Sequence, residues 1–156
     1  MTVRSLLAEQ LRHTCESGVW QPPLFVAVEG LSPEQAAWKP GPGRHSIWEI
    51  VRHLLHWKRF VLELWDGRQA SHDDWERRDW APFTVEESAW PRDVKELKEM
   101  SKEIAQRVAD LSDRDLGSTF PYWNQPLSVV LADMASHDAY HAGQVQLLRA
   151  LQTMEG

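Results

Sequence analysis

The sequence predicts an all-α fold: a four-helix bundle with a long crossover connection between the second and third long helices. Four segments carry apolar residues at intervals of three and four, the period of an amphipathic helix. No segment shows the strict apolar and polar alternation of a half-buried strand. The 156 residues suit one domain, and 42% hydrophobic residues can bury a core without disulfides or a structural metal. We therefore expect a single domain over residues 1–156, in which any bound metal is functional.

Two long helices are predicted in the first half of the chain. The first spans about residues 2–18, where apolar residues recur at helical spacing. Ser46 and Glu49 form a capping box that opens the second, which runs to about Trp65. Only short helical runs, at residues 24–29 and 32–35, are predicted between them.

The connection between the second and third long helices, residues 68–90, is charged and is predicted to be irregular. It is long for a compact domain, and such loops are often functional or act as lids. Three tryptophans in it are candidates to line a pocket or a subunit contact: Trp75, Trp80 and Trp90.

The second half of the chain predicts the other two long helices. Pro91 is well placed to open the third, whose apolar residues form a packing seam as far as Leu111. Residues 112–117 are expected to end it. The fourth helix is predicted over about residues 127–151.

Composition excludes several classes of function. A formal net charge of -6 argues against a nucleic-acid partner, which calls for a basic surface. The single cysteine, Cys15, excludes an intrachain disulfide and a thiolate-rich zinc site, and it fits a reducing compartment. No apolar run resembles a signal peptide or a membrane span. We therefore expect a cytoplasmic protein that acts on a small molecule, without a membrane partner.

His137 and His141 are the first candidates for a functional site. They lie one helical turn apart, within the apolar stripe of the fourth helix, so their imidazoles can converge on one metal ion. A neutral imidazole in a core needs partners for both ring nitrogens. The alternative is therefore a pair of core histidines that are hydrogen-bonded to Tyr140 and Gln144. A third ligand would favour the metal.

The second helix offers the best third ligand. The candidates elsewhere in the chain are His13, His45, His53, His56 and His72. By helical angle, His53 lies at the edge of the apolar face, whereas His56 lies in the middle of the polar face. His53 is thus the candidate that faces a core without a loop folding inward. Three neutral imidazoles on zinc or nickel leave a coordination position open, as a catalytic site requires.

A competing interpretation treats residues 137–141 as a degenerate H-E-x-x-H protease helix, with Asp138 as general base. Aspartate is one methylene shorter than glutamate and reaches a metal-bound water less well. Such sites usually take their third ligand downstream, but the short tail after His141 has no histidine, and its only carboxylate side chain is Glu155. Cys15 lies on an apolar stripe and is expected to be an inert core residue.

Motifs in the second and fourth long helices carry a family resemblance. They are Ser46-Ile47-Trp48-Glu49-Ile50 with His53-Leu54, and His137-x-x-Tyr140-His141-x-Gly143-Gln144 with Leu148-Arg149. In order and spacing they resemble the DinB-like (YfiT-like) superfamily of metal-binding four-helix bundles. The turn Leu31-Ser32-x-Glu34-Gln35 and the following Pro- and Gly-rich loop extend the resemblance over nearly the whole chain.

The resemblance implies a divalent metal held by one histidine of the second helix and two of the fourth, which correspond to His53, His137 and His141. It also implies a homodimer. Characterised members include S-transferases and isomerases that use low-molecular-weight thiols such as bacillithiol or mycothiol. This sequence departs from the pattern at His56, a second histidine one turn after His53.

Three functions follow as hypotheses. The first is a metal-dependent thiol S-transferase in detoxification or stress response, in which the open metal position lowers the pKa of a thiol. Asp133, Tyr140 and Gln144 would then orient ligands or substrate. The second is a metal-dependent hydrolase that activates water instead. The third is a non-catalytic stress protein that binds a metal or a small ligand.

Overall fold

The computed structural model describes residues 1–68, 71–84 and 86–154. Its helices are α1 Val3–Arg12, α2 Leu24–Ala27, α3 Pro33–Ala37, α4 Ile47–Trp65, α5 His72–Arg78, α6 Ala89–Ala109, α7 Asp113–Gly117 and α8 Leu127–Met154. A π-helical turn, His13–Ser17, extends α1. The predicted all-α class is confirmed. Among the described residues, no helix combines the length and the apolarity that crossing a membrane requires.

The four long helices pack as a bundle. Helix α1 packs against α6 and α8, and α4 packs against the same two helices. Buried apolar side chains from all four fill the space between them, including Leu11, Trp48, Leu97 and Leu131. This arrangement puts α4 beside α8, the two helices that carry the candidate histidines.

The capping box fixes the start of α4, as predicted. The Ser46 hydroxyl accepts a hydrogen bond from the Glu49 backbone N–H at 3.1 Å, and the Glu49 carboxylate accepts one from the Ser46 N–H at 2.8 Å. Gly67, at φ 77°, follows the helix in the left-handed conformation that stops it. Both predicted ends of α4 are therefore confirmed.

The connection after α4 differs from the prediction, because α5 lies within the stretch expected to be irregular. The Ser71 hydroxyl caps it by accepting from the Asp74 N–H. Acidic residues occupy its first turn and basic residues its last, which suits the helix dipole. Sequence periodicity missed α5 because this short helix is polar and exposed on most of its surface.

The chain around α6 also departs from the prediction. Helix α6 begins at Ala89, before Pro91. Pro91 is tolerated in the first turn of the helix because an N–H at that position would have no helical partner, so its absence costs no hydrogen bond. The stretch expected only to end α6 forms α7 on a capping box of its own, made by Ser112 and Asp115.

A small hairpin interrupts the helical pattern before α8. Strand β1, Thr119–Phe120, pairs antiparallel with β2, Gln125–Pro126. The sequence did not predict this hairpin, because two residues per strand are too few to show an alternation. Between them Tyr122 and Asn124 have positive φ, which lets the chain turn back tightly into α8.

Candidate metal centre

The structure brings the three predicted histidines together between α4 and α8. The Nε2 atom of His137 lies 3.0 Å from Nε2 of His53 and 3.0 Å from Nε2 of His141. One ligand atom from each residue falls within 4.8 Å of the others. His53 and His141 are buried, and His137 is half-buried.

Asp79 fixes the proton of His53. The Nδ1 atom of His53 lies 2.6 Å from the Asp79 carboxylate, which also accepts a hydrogen bond from Trp57 Nε1 at 3.0 Å. Because an ionised carboxylate only accepts, this hydrogen bond assigns the ring proton to Nδ1. The Nε2 atom of neutral His53 therefore carries a lone pair directed toward His137.

Gln144 does the same for His141. The Nδ1 atom of His141 lies 2.6 Å from Gln144 Oε1, while Gln144 Nε2 donates to the Tyr140 hydroxyl at 2.9 Å. The amide orientation is thus consistent with an Nδ1–H that donates to Oε1. The predicted hydrogen bond between Gln144 and His141 is present. It satisfies only the Nδ1 atom of His141, so the Nε2 lone pair still needs a partner.

Like nitrogens therefore meet at the centre of the cluster. His137 can offer at most one Nε2–H, which can point at one neighbouring lone pair and not at both. Burial lowers the pKa of all three imidazoles, that of His141 to about 4, so they stay neutral near pH 7. A divalent cation accepts three imidazole lone pairs at once, and its histidine ligands typically donate their other N–H to an oxygen. The donor set thus fits a metal ion.

The connection between α4 and α6 covers His53. The Trp80 indole stacks on the His53 imidazole with ring centroids 4.1 Å apart and planes at 13°, and it also stacks on His45. Trp80 has φ 58°, a conformation that costs a non-glycine residue on the order of 1 kcal/mol. The stacking and the neighbouring Asp79 hydrogen bonds hold this loop against α4. Trp80 therefore lies at the site, as the sequence suggested.

The other two tryptophans of the connection lie elsewhere. Trp75 packs on Phe60 and His56. Trp90 is buried in the core, and its Nε1 donates to the Leu31 carbonyl. The expectation that it lines a pocket or a subunit contact was wrong for Trp90, because α6 begins early enough to carry it inward.

His56, the second histidine of α4, lies outside the cluster. Its Nε2 donates to the Trp75 backbone carbonyl at 2.8 Å. Of the other candidates, His13 pairs with Glu9 and His45 stacks on Trp80. The side chain of His72, like Glu155, is outside the described part of the chain. His53, which helical angle favoured over His56, is thus the histidine of α4 that lies in the cluster, and its role as a metal ligand stays a prediction.

A family model described as the DinB superfamily matches residues 23–145. The chain belongs to the DinB superfamily. The match confirms the family predicted from the motifs, and it includes all three clustered histidines. Comparison with curated proteins and with solved structures gives no significant match.

In this DinB-superfamily chain, Asp138 is engaged away from the histidines. It is fully buried, and its Oδ2 accepts from Lys58 Nζ at 2.7 Å and from the Cys15 thiol at 3.4 Å. Burial alone would lower the pKa of Lys58, but the Asp138 carboxylate raises it above its usual value. Cys15 is buried in the core, as predicted, and burial raises its pKa to about 12, which disfavours the reactive thiolate. Asp138 is thus not positioned as the general base of a protease.

A cavity of about 590 Å³ adjoins the cluster on the His137 side. Lys58 and Asp138 form part of its wall, together with the Trp57 and Trp123 side chains. Asp133, one turn before His137 on α8, is exposed and also lines it. Tyr140 is exposed; its ring lies edge-on to the His141 imidazole, with centroids 5.1 Å apart, and its hydroxyl accepts a hydrogen bond from Gln144.

Sequence reasoning missed two residues near the histidines. Lys58 carried a usable signal, because it lies four residues after Leu54 and three before Val61, within the apolar stripe of α4. Asp79 carried none, since its contact with His53 depends on the path of the intervening chain.

Proposed function

We propose that this protein is an enzyme that binds a divalent metal ion through His53, His137 and His141 and transfers a low-molecular-weight thiol to a small electrophile. The observation that carries the proposal is the convergence of three Nε2 atoms, with the Nδ1 protons of His53 and His141 held by Asp79 and Gln144. Membership of the DinB superfamily supports it.

Neutral imidazole ligands suit zinc and nickel, and we propose one of these as the ion. When bound, the ion supplies a Lewis acid that lowers the pKa of a thiol. The predicted homodimer and cytoplasmic location remain predictions.

The protein's own residues perform three tasks in this proposal. Asp79 and Gln144 keep the ring protons on Nδ1, so that the Nε2 lone pairs of His53 and His141 stay available. Trp80 covers His53 and limits the approach of water from that side. The cavity beside His137 leaves room for the organic part of a substrate.

The Trp80 indole over His53 and the largely apolar cavity wall beside His137 favour thiol transfer over hydrolysis, because they disfavour water as the competing nucleophile. In the transfer, the thiol gives its proton to solvent and its sulfur forms a bond to the electrophilic carbon. The leaving group departs from that carbon with the bonding electron pair.

A conjugation assay tests the proposal. Protein loaded with zinc or nickel is mixed with 1-chloro-2,4-dinitrobenzene and, in turn, cysteine, glutathione, bacillithiol or mycothiol. We expect metal-dependent thioether formation with release of chloride. The double variant His137→Ala, His141→Ala should lose it, and the matched control His56→Ala should keep it.

Two results would contradict the assignment. Turnover of esters or lactones without any thiol would point to a hydrolase. Stoichiometric metal binding with no turnover in either assay would point to a non-catalytic binding protein.

A further inference from the structure

We propose that the cavity beside His137 receives the organic substrate and selects a flat, apolar molecule that carries a protonated amine. This inference rests on the proposed function, which it extends by naming a substrate class. A volume of about 590 Å³ lies within the range of small-molecule pockets.

Most of the cavity wall is apolar. It is formed by Leu54, Trp57, Val61, Trp123, Val130 and Met134. The Trp123 indole belongs to the hairpin between β1 and β2, where it stacks on Phe120 with planes at 12°. Two indoles and several aliphatic side chains suit a flat apolar body, since such surfaces gain most by excluding water.

The charges in the wall disfavour an anion. Lys58 is the one lysine or arginine in the described lining, and its ammonium is already held by Asp138 at 2.7 Å. Of the other carboxylates in the wall, that of Asp133 makes no ion pair with the described residues. A carboxylate ligand beside Asp133 would meet like charge, while the Lys58 ammonium is already paired.

On α8, the Asp133 carboxylate and one oxygen of the Asp138 carboxylate have no hydrogen-bond donor among the described residues. Asp133 is exposed and makes no hydrogen bond or ion pair with the described residues. The Oδ1 atom of Asp138 is buried and has no hydrogen-bond partner among them. An ammonium group supplies several donors and a complementary charge, whereas an ether or a carboxylate supplies neither.

The spacing along α8 sets the size of the ligand. Asp133 precedes His137 by one turn, a rise of roughly 6 Å at 1.5 Å per residue. A molecule with an aromatic ring and a two-carbon chain to an amine spans about this distance. We therefore take phenylethyl compounds as probes.

The test compares three probes of similar shape and different charge: 2-phenylethylammonium, 2-phenylethanol and 3-phenylpropionate. Their affinities for metal-free protein are measured at pH 7 by isothermal titration calorimetry. We expect the ammonium to bind about tenfold more tightly than the carboxylate, with the alcohol between them. Asp133→Asn, an exposed substitution of equal size, should lower the affinity for the ammonium until it is close to the affinity for the alcohol.

A matched pair of variants tests whether the cavity is the site. Val130 is buried in the wall, and Val129 is exposed and outside the described lining. Val130→Phe should abolish binding of all three probes, whereas Val129→Phe should leave it unchanged. Both should still take up zinc, because neither residue belongs to the histidine cluster.

Zinc uptake separates the failure of this inference from failure of the proposed function. The inference is overturned if the carboxylate binds as tightly as the ammonium, if no probe binds, or if Val130→Phe and Val129→Phe behave alike. With normal zinc uptake, the metal centre then stands. If the expected probe order holds but wild-type protein takes up no zinc, the metal-dependent function fails and the ligand preference remains.

Discussion

Two buried polar clusters join α4 to α8, and they differ in whether their members complement one another. In the first, the Lys58 ammonium donates to the Asp138 carboxylate at 2.7 Å. In the second, Nε2 of His137 faces two other imidazole Nε2 atoms at 3.0 Å. The neighbouring residues His137 and Asp138 thus belong to clusters of opposite character.

The difference separates a charge-balanced pair from a candidate metal site. Lys58 and Asp138 neutralise one another, and the pair needs no further partner for charge balance. In the histidine cluster one Nε2–H of His137 can satisfy only one neighbouring lone pair, whereas a cation accepts all three Nε2 lone pairs at once. Breaking the first should therefore change stability, and breaking the second should change metal binding.

The largest effect is expected from Lys58→Met. It leaves the Asp138 carboxylate buried without its cation, which should reduce the free energy of unfolding by about 3–5 kcal/mol. The double variant Lys58→Met, Asp138→Leu should recover most of the loss, because neither charge remains. Urea unfolding of the metal-free proteins measures both. A single variant as stable as wild type would show that the pair is not what holds this part of α4 to α8.

The histidine cluster should make metal-free stability depend on pH. Burial lowers the folded pKa of His141 to about 4 from an ordinary 6.5, so the unfolded chain binds this proton first as the pH falls. Stability should be fully present above pH 6.5 and fall toward pH 4, by roughly 3 kcal/mol for this residue.

His141→Gln provides the control for that pH dependence, since it removes the titrating ring. Unfolding free energies at several pH values between 4 and 7 should change less in this variant than in wild type. Equal slopes in the two proteins would mean that His141 titrates normally in the folded state.

Asp79→Ala should weaken zinc binding by about 10–100-fold, because the carboxylate orients His53 and holds its Nδ1 proton. Asp79→Asn keeps an acceptor oxygen and should therefore lose less zinc affinity than Asp79→Ala. Competition with a chelating indicator measures both affinities. Asp74→Ala, an exposed change on α5, serves as the control. If Asp79→Ala binds zinc like this control, the tautomer of His53 does not depend on Asp79.

The smallest effect is expected from Tyr140→Phe. The Tyr140 ring is exposed, and its hydroxyl reaches His141 only through Gln144. We expect a change in zinc-binding free energy below about 0.5 kcal/mol in the same competition assay. A larger loss would mean that Tyr140 sets the orientation of the Gln144 amide and thereby the tautomer of His141.

The sequence predicted what depends on local chemistry. The capping box at Ser46 and the glycine after α4 gave both ends of that helix. Helical angle separated His53 from His56 because both lie on one regular helix, so their directions follow from spacing alone.

The sequence did not predict features that depend on the route of a connection through space or on a partner far away in the chain. Asp79 and Trp80 reach His53 because the connection folds back across α4, and no local pattern encodes that route. Lys58 can be buried because Asp138 neutralises its charge, and Asp138 lies on another helix, so the sequence around Lys58 does not reveal the pair. The polar helix α5 has no apolar stripe by which periodicity could find it.

Metal binding by His53→Ala and His56→Ala tests the central claim most directly. Each purified protein is stripped, titrated with zinc by calorimetry and analysed for bound metal. Wild type and His56→Ala should bind one ion per chain with similar affinity, and His53→Ala should lose that binding. Equal loss in both variants, or none in His53→Ala, would contradict a centre built from His53, His137 and His141.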